Sequence, residues 1–269
     1  MQPRTLSDAG RGGFAAASGA AIITGMTTPR IHSTPPEAVR ERLREKVFID
    51  GRTFLLERPG GSDSLFDHPA VRAAYAADDY IPYWADLWPA ARMLAKAIGR
   101  EPWDAYPRTD GAKPHALEIA CGLGLPGIAA LACGLRVTFS DIDELALKFA
   151  AENARRNKLT DFDTAAIDLR SPPPGLRFDV ILGADLLYDE KLVGPVVAFL
   201  AAALSPTGVA LLADPDRVAA KSFGHECRVA GLAVERAFAR AGEPGGERTK
   251  GTIYRVRRPA LITSSGDLG

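Results

Sequence analysis

The chain has 269 residues, 46% of them hydrophobic and 25% charged, and its 33 basic side chains are matched by 33 acidic ones. That balance excludes the basic bias of a general nucleic-acid binder, and no apolar run approaches the roughly 20 residues that span a bilayer. Three cysteines and four histidines lie scattered, with neither a disulfide framework nor metal-ligand spacing, so no metal is expected.

Residues 1–35 read as a disordered tail, small, polar and without periodicity, in which Met26 offers a second possible start. No signal-peptide core is evident, and a cytoplasmic location is expected. Residues 36–80 read as an accessory segment: a short helix over Pro36 to Val47, then a hairpin in VFIDGRTFLLE. Asp50-Gly51 suits its turn, because a type I′ turn needs positive φ at both central residues. A helix follows from about Leu87 to Ile98, ended by Gly99.

From His115 onward apolar runs and helical patterns alternate. ALEIA, LRVTFS, FDTAAI, FDVILGA and GVALLAD read as strands, and PGIAALACG, DELALKFAAENARRN, KLVGPVVAFLAAAL and RVAAKSFGHECRVAG as helices between or after them. LAVERAF and GTIYRVR are two late strands with no helix between them, so they should pair antiparallel. Residues 81–258 therefore predict an α/β domain, a seven-stranded, mostly parallel sheet with helices on both faces and an antiparallel last strand. This is the outline of a Rossmann-like class I methyltransferase core, and residues 259–269 read as a second disordered tail.

LEIACGLGLPGIAAL holds the chemistry. Gly122, Gly124 and Gly127 fit G-x-G-x-x-G after a strand. The motif permits a dinucleotide site, a different nucleoside site or a tight turn packed on itself. Asp141 lies about 20 residues on, where an acid binds ribose hydroxyls of either nucleoside. Glu118 ends the strand, and Pro126 removes an N–H from the helix start, which weakens a pyrophosphate cradle. A sulfonium-bearing nucleoside, with no phosphate, suits the carboxylate better. Ile142 is then expected against the adenine face, and Asp168 is expected to accept from its amino group. Asp141 or Asp143 also reads as a helix N-cap, Asp168 as a solvated loop acid, and Cys121 as a small packing residue.

The segments PYWADLWPAARMLAKAI, LEIACGLGLPGIAAL, TFSDIDELALKFAAENARRN, FDVILGADLLYDE and LLADPDR, in this order, resemble the seven-strand protein-lysine methyltransferases, above all the group acting on the electron-transfer-flavoprotein β-subunit. The resemblance covers Ile81 to Arg217 and implies S-adenosylmethionine as cofactor. Glu118, Gly122, Gly124 and Asp141 would bind it, Trp88 would sit beside it, and Asp185 and Tyr188 would line the acceptor pocket. Ala120 departs from the family pattern, which has glycine there. Trp84, Trp88 and Tyr188 also read as core aromatics, and Asp185 as a helix cap. The implied acceptor is a protein lysine or a small, nicotinamide-like amine, with no nucleic-acid or membrane partner. A nicotinamide-dependent oxidoreductase and a non-catalytic S-adenosylmethionine-binding protein stay open as alternatives, and oligomeric state is not legible.

Overall fold

The computed structural model describes residues 29–106, 113–242 and 248–259. An N-terminal hairpin joins β1 (Arg42–Ile49) to β2 (Arg52–Pro59). Two short helices follow, α1 (Ser62–Phe66) and α2 (Pro69–Asp78), then α3 (Pro89–Ile98). The alternating part runs β3 (His115–Glu118), α4 (Leu125–Ala132), β4 (Arg136–Asp141), α5 (Glu144–Arg156), β5 (Phe162–Ala166), β6 (Phe178–Ala184), α6 (Glu190–Ala203), β7 (Leu204–Asp214), α7 (Phe223–Val229), β8 (Ala233–Ala241) and β9 (Thr249–Arg257).

The main sheet has the order β5-β4-β3-β6-β7-β9-β8. β9 is antiparallel to both β7 and β8, and the pairs among β3 to β7 are parallel. Side chains alternate across it as the period of two requires. Ala116, Val180, Leu182, Val209 and Leu211 join the core under α3, α4 and α5, whereas Leu117, Ile181, Ala210 and Leu212 join the core under α6 and α7. Strand order reverses direction at β3, so the carboxyl ends of β3 and β6 flank the switch point where such sheets bind ligands.

The expected helix over Pro36 to Val47 is corrected. Pro36–Ala38 form one 3-10 turn, and Arg42–Ile49 are a strand. Leu43, Val47 and Ile49 point inward at period two, and the arginines pair with Glu57 across the hairpin instead of along a helix. Asp50 and Gly51 both take positive φ, 43° and 82°, as a type I′ turn demands. The outer edge of β2 is capped by α5: Asn153 exchanges hydrogen bonds with the Glu57 backbone, and Asn157 with that of Leu55.

Residues 29–35 are seated on the domain, in contrast to the tail expected through residue 35. The His32 N–H donates to the Ile142 carbonyl at 2.7 Å, and the Thr34 hydroxyl to Asp143. The remainder of that tail, Met26 included, and residues 260–269 lie outside the described residues. No helix among the described residues is long and apolar enough to cross a membrane.

Candidate active site

The turn after β3 climbs through alternating left-handed residues: Ala120, Gly122 and Gly124 have φ of 47°, 51° and 79°. It is stitched to β4 by the Cys121 N–H on the Ser140 carbonyl and the Ser140 hydroxyl on the Glu118 carbonyl. A side chain at Gly122 would meet the Trp84 carbonyl at 3.3 Å. At Gly124 it would strike Ala150, and at Gly127 it would strike Phe139 and the Glu118 carboxylate at 2.5 Å. Gly124 and Gly127 are thus required by packing, and Gly122 and Gly124 also line a cleft. Ala120 adopts the conformation that glycine favours, at a cost of about 1 kcal/mol.

That cleft, of about 340 Å³, is of ligand-binding size and runs between the β3 turn, the end of β4, the start of α3 and the loop after β6. Glu118, Gly122, Gly124, Asp141, Ile142, Trp88, Asp185 and Tyr188 all line it. Asp141, at the end of β4, and Asp185, just past β6, therefore share one opening beside Gly122.

Glu118 is buried, and its Oε2 accepts the Gly127 N–H at 2.9 Å. Burial lifts its carboxyl well above the ordinary range, against that bond, and the charge of Asp141 adds to the rise. Asp141 accepts from the amides of Gly122 (2.9 Å) and Asp143 (3.1 Å), and burial pushes its pKa up to about 6. Neither carboxylate has an ion-pair partner among the described residues. The helix N-cap role falls to Asp143, whose Oδ1 accepts from Leu145 and whose Oδ2 accepts from Thr34, Tyr80 and Trp84. Asp141 is left to face the cleft. Trp84 is buried on this network and against Phe149, yet its face also lines the cleft. No sequence signal short of the fold announces the Tyr80–Trp84–Asp143 cluster.

Asp168 is not among the lining residues. It is buried, and its oxygens accept from the Arg170 guanidinium at 2.8 and 3.1 Å and from the Arg30 N–H. Burial alone would raise its pKa, but those bonds hold it below the ordinary range. The structure thus does not bring Asp168 to the cleft.

Asp185 does not cap α6; Asp189 does. Instead Asp185, in the left-handed region at φ 57°, accepts the Ala90 N–H at the start of α3 and pairs with Arg217. Burial raises its pKa, and Arg217 opposes the rise. Tyr188 is not a core aromatic: it is half exposed and meets Tyr83 edge-on at 5.7 Å, while Tyr83 meets Trp88 at 5.9 Å. These three rings wall the mouth. The Trp88 indole donates to the Tyr83 carbonyl, which fixes its plane. Arg217, within LLADPDR, carries no motif of its own; its one sequence signal is its place just past a strand's carboxyl end.

Two buried carboxylates without a cation, on a turn too acidic for a pyrophosphate, suit a ligand that brings positive charge and hydroxyl donors. A dinucleotide would bring its phosphates against them. The donor set therefore fits S-adenosylmethionine, whose ammonium, sulfonium and ribose hydroxyls answer Glu118 and Asp141.

The sheet order is that of the Rossmann-like class I methyltransferase fold, with the cleft at its switch point. The structure of magnesium protoporphyrin IX methyltransferase from Synechocystis PCC 6803 shares the fold, with a TM-score of 0.50, 14% identity, and coverage of 62% of this chain and 82% of that one. A lysine methyltransferase family model matches residues 83–223, and the chain belongs to that family. Histone-arginine methyltransferase METTL23 of Xenopus laevis is 31% identical over 118 residues, 40% of this chain and 47% of that protein. Protein N-lysine methyltransferase METTL21A of Mus musculus is 35% identical over 106 residues, 36% of this chain and 48% of that protein. The chain spans about half the length of the curated relatives it matches.

Proposed function

We propose that the protein is an S-adenosylmethionine-dependent N-methyltransferase acting on a lysine side chain of a protein, within the group that modifies the electron-transfer-flavoprotein β-subunit or its bacterial relatives. The observation that carries the reading is the single cleft joining two cation-free carboxylates, Glu118 and Asp141, to Asp185 and an aromatic mouth. When bound, S-adenosylmethionine supplies an electrophilic methyl group. Glu118 would hold its ammonium end, Asp141 its ribose hydroxyls, and Ile142 its adenine face.

The chain's own part lies in alignment and in the protonation state of the acceptor. A lysine amine, with an ordinary pKa of about 10.4, arrives protonated and must give its proton to water. Tyr83, Trp88 and Tyr188 exclude water from the amine and favour its neutral form. Asp185 accepts its hydrogen bonds and aims its lone pair. The name of the METTL21A relative favours lysine, and that of the METTL23 relatives makes arginine the second reading.

The test is methyl transfer from tritiated S-adenosylmethionine to whole lysate, resolved by size, with acid hydrolysis of the labelled protein. Methyllysine supports the reading, methylarginine replaces it with the second, label on small molecules moves the acceptor out of proteins, and no label refutes it. Asp185→Asn should lower turnover about 100-fold, with S-adenosylhomocysteine affinity unchanged within about threefold by calorimetry.

A further inference from the structure

Arg217 is the one cation among the described residues that line the cleft. It is mounted rigidly. Asp214, at the end of β7, accepts its backbone N–H at 2.7 Å, and the other oxygen of Asp214 lies 3.7 Å from its guanidinium. Between them Asp216 takes a left-handed turn at φ 61° and accepts the Thr252 hydroxyl from β9. So held, Arg217 pairs with Asp185 and places its guanidinium 5.9 Å over the Trp88 ring.

The charged groups facing Asp185 are Asp214 at the end of β7 and Arg217 from the loop after it, together with the amide end of α3 through Ala90. Tyr80, Tyr83, Asp86 and Tyr188 are further titratable groups of the lining, and Glu118, Cys121 and Asp141 lie toward the β3 turn. A lone buried carboxylate beside an amine stabilises the ammonium, the form with no lone pair to donate. A cation on that carboxylate removes the preference and leaves its hydrogen-bond acceptors in place. An arginine acceptor gains nothing from this, because its guanidinium, with a pKa above about 12, stays charged.

We infer that Arg217 is a positioning residue that offsets the charge of Asp185, so that a lysine acceptor sits in the cleft as the neutral amine and arginine is disfavoured. The inference rests on the proposed N-methyl transfer. The amine proton leaves to bulk water.

The test compares Arg217→Met and Arg217→Lys with the unaltered protein, using tritiated S-adenosylmethionine and total lysate protein titrated by mass between pH 6.5 and 9.5. For Arg217→Met, kcat at pH 7 should fall about tenfold or more while KM for the acceptor does not rise. The rising limb of kcat should move at least about one unit to alkaline pH. S-adenosylhomocysteine should bind within about threefold of its normal affinity, which shows the cleft intact. Arg217→Lys, which keeps the charge, should recover most of the rate. An unmoved pH profile, a raised KM with unchanged kcat, loss of rate in both variants alike, or methylarginine formation by the unaltered protein would overturn the inference. No label on lysine from the unaltered protein would instead refute the underlying reading, a separate result.

Discussion

Glu57 and Asp168, at one side of the sheet, are 4% and 3% exposed; Glu118 and Asp141, in the cleft, are 2% and 5% exposed. Depth does not distinguish the pairs, but company does. Glu57 receives Arg42, Arg44 and Arg156, with the Arg44 bond foremost in holding its carboxyl below the ordinary range. Asp168 has Arg170. The cleft pair has only backbone amides, and burial carries both upward. A buried carboxylate with a resident cation fastens the fold: Glu57 ties the hairpin to α5, and Asp168 ties residue 30 to the loop after β5. One without a cation, facing a cleft, is completed by a ligand that brings the charge. Asp185 combines the two conditions, with a resident arginine and a place in the cleft.

The comparison breaks most visibly at Asp141. Asp141→Asn should weaken S-adenosylhomocysteine binding about 10- to 100-fold, the worth of hydrogen bonds to a charged group. Its thermal stability at pH 7 should hold or rise, because a buried charge without a partner is gone. The pH sign follows. A carboxyl raised from 3.8 to about 6 contributes stability that is fully present below pH 3.8 and lost as pH rises through about 6. Denaturant melts of the ligand-free protein should therefore show a smaller decline in stability between those values for Asp141→Asn than for the unaltered chain. Glu57 has the opposite sign, its contribution present at neutral pH and lost as acid protonates it.

Glu57→Gln sharpens the contrast from the other side. It should leave ligand affinity untouched and cost about 1–2 kcal/mol, limited because Arg42 and Arg44 face solvent and rehydrate. On this size of chain each kcal/mol lowers the melting temperature by about 2–4 °C. The smallest effect is expected at Ala120→Gly. Relief of the left-handed alanine should stabilise the chain by at most about 1 kcal/mol, partly offset by the freer unfolded glycine. A melting temperature that falls would show that the Ala120 methyl packs usefully.

Much of this was legible before folding. The β6 run FDVILGA is apolar but for Asp179 because both faces are covered, and Asp50-Gly51 announces its turn by chemistry alone. The antiparallel end of the sheet followed from two strands with no helix between them. What failed was non-local. Arg42 and Arg44 read as the polar side of a helix, because nothing in PEAVRERLREKV reveals that Glu57 waits across the hairpin. The helix α1 has only five residues, and α2 buries only Val71, so neither carries a clear apolar periodicity. Asp168 reads equally as an adenine acceptor and as a solvated loop acid, and the fold buries it on Arg170, two residues on. Asp141 and Asp143 could not be told apart as cap and ligand until the start of α5 was known. Arg217 is not legible in the sequence because its partner Asp185 lies 32 residues earlier, in the loop after β6.

The proposed reading gives Glu118 and Asp141, both raised by burial, the cofactor's positive charge and hydroxyls to hold, so both should ionise as it binds. Calorimetric titration of S-adenosylhomocysteine at pH 6, in two buffers of different ionisation enthalpy, counts the protons directly. The account predicts net proton release on binding, reduced in Asp141→Asn. Binding with no proton release, or binding of a nicotinamide dinucleotide in its place, would contradict it.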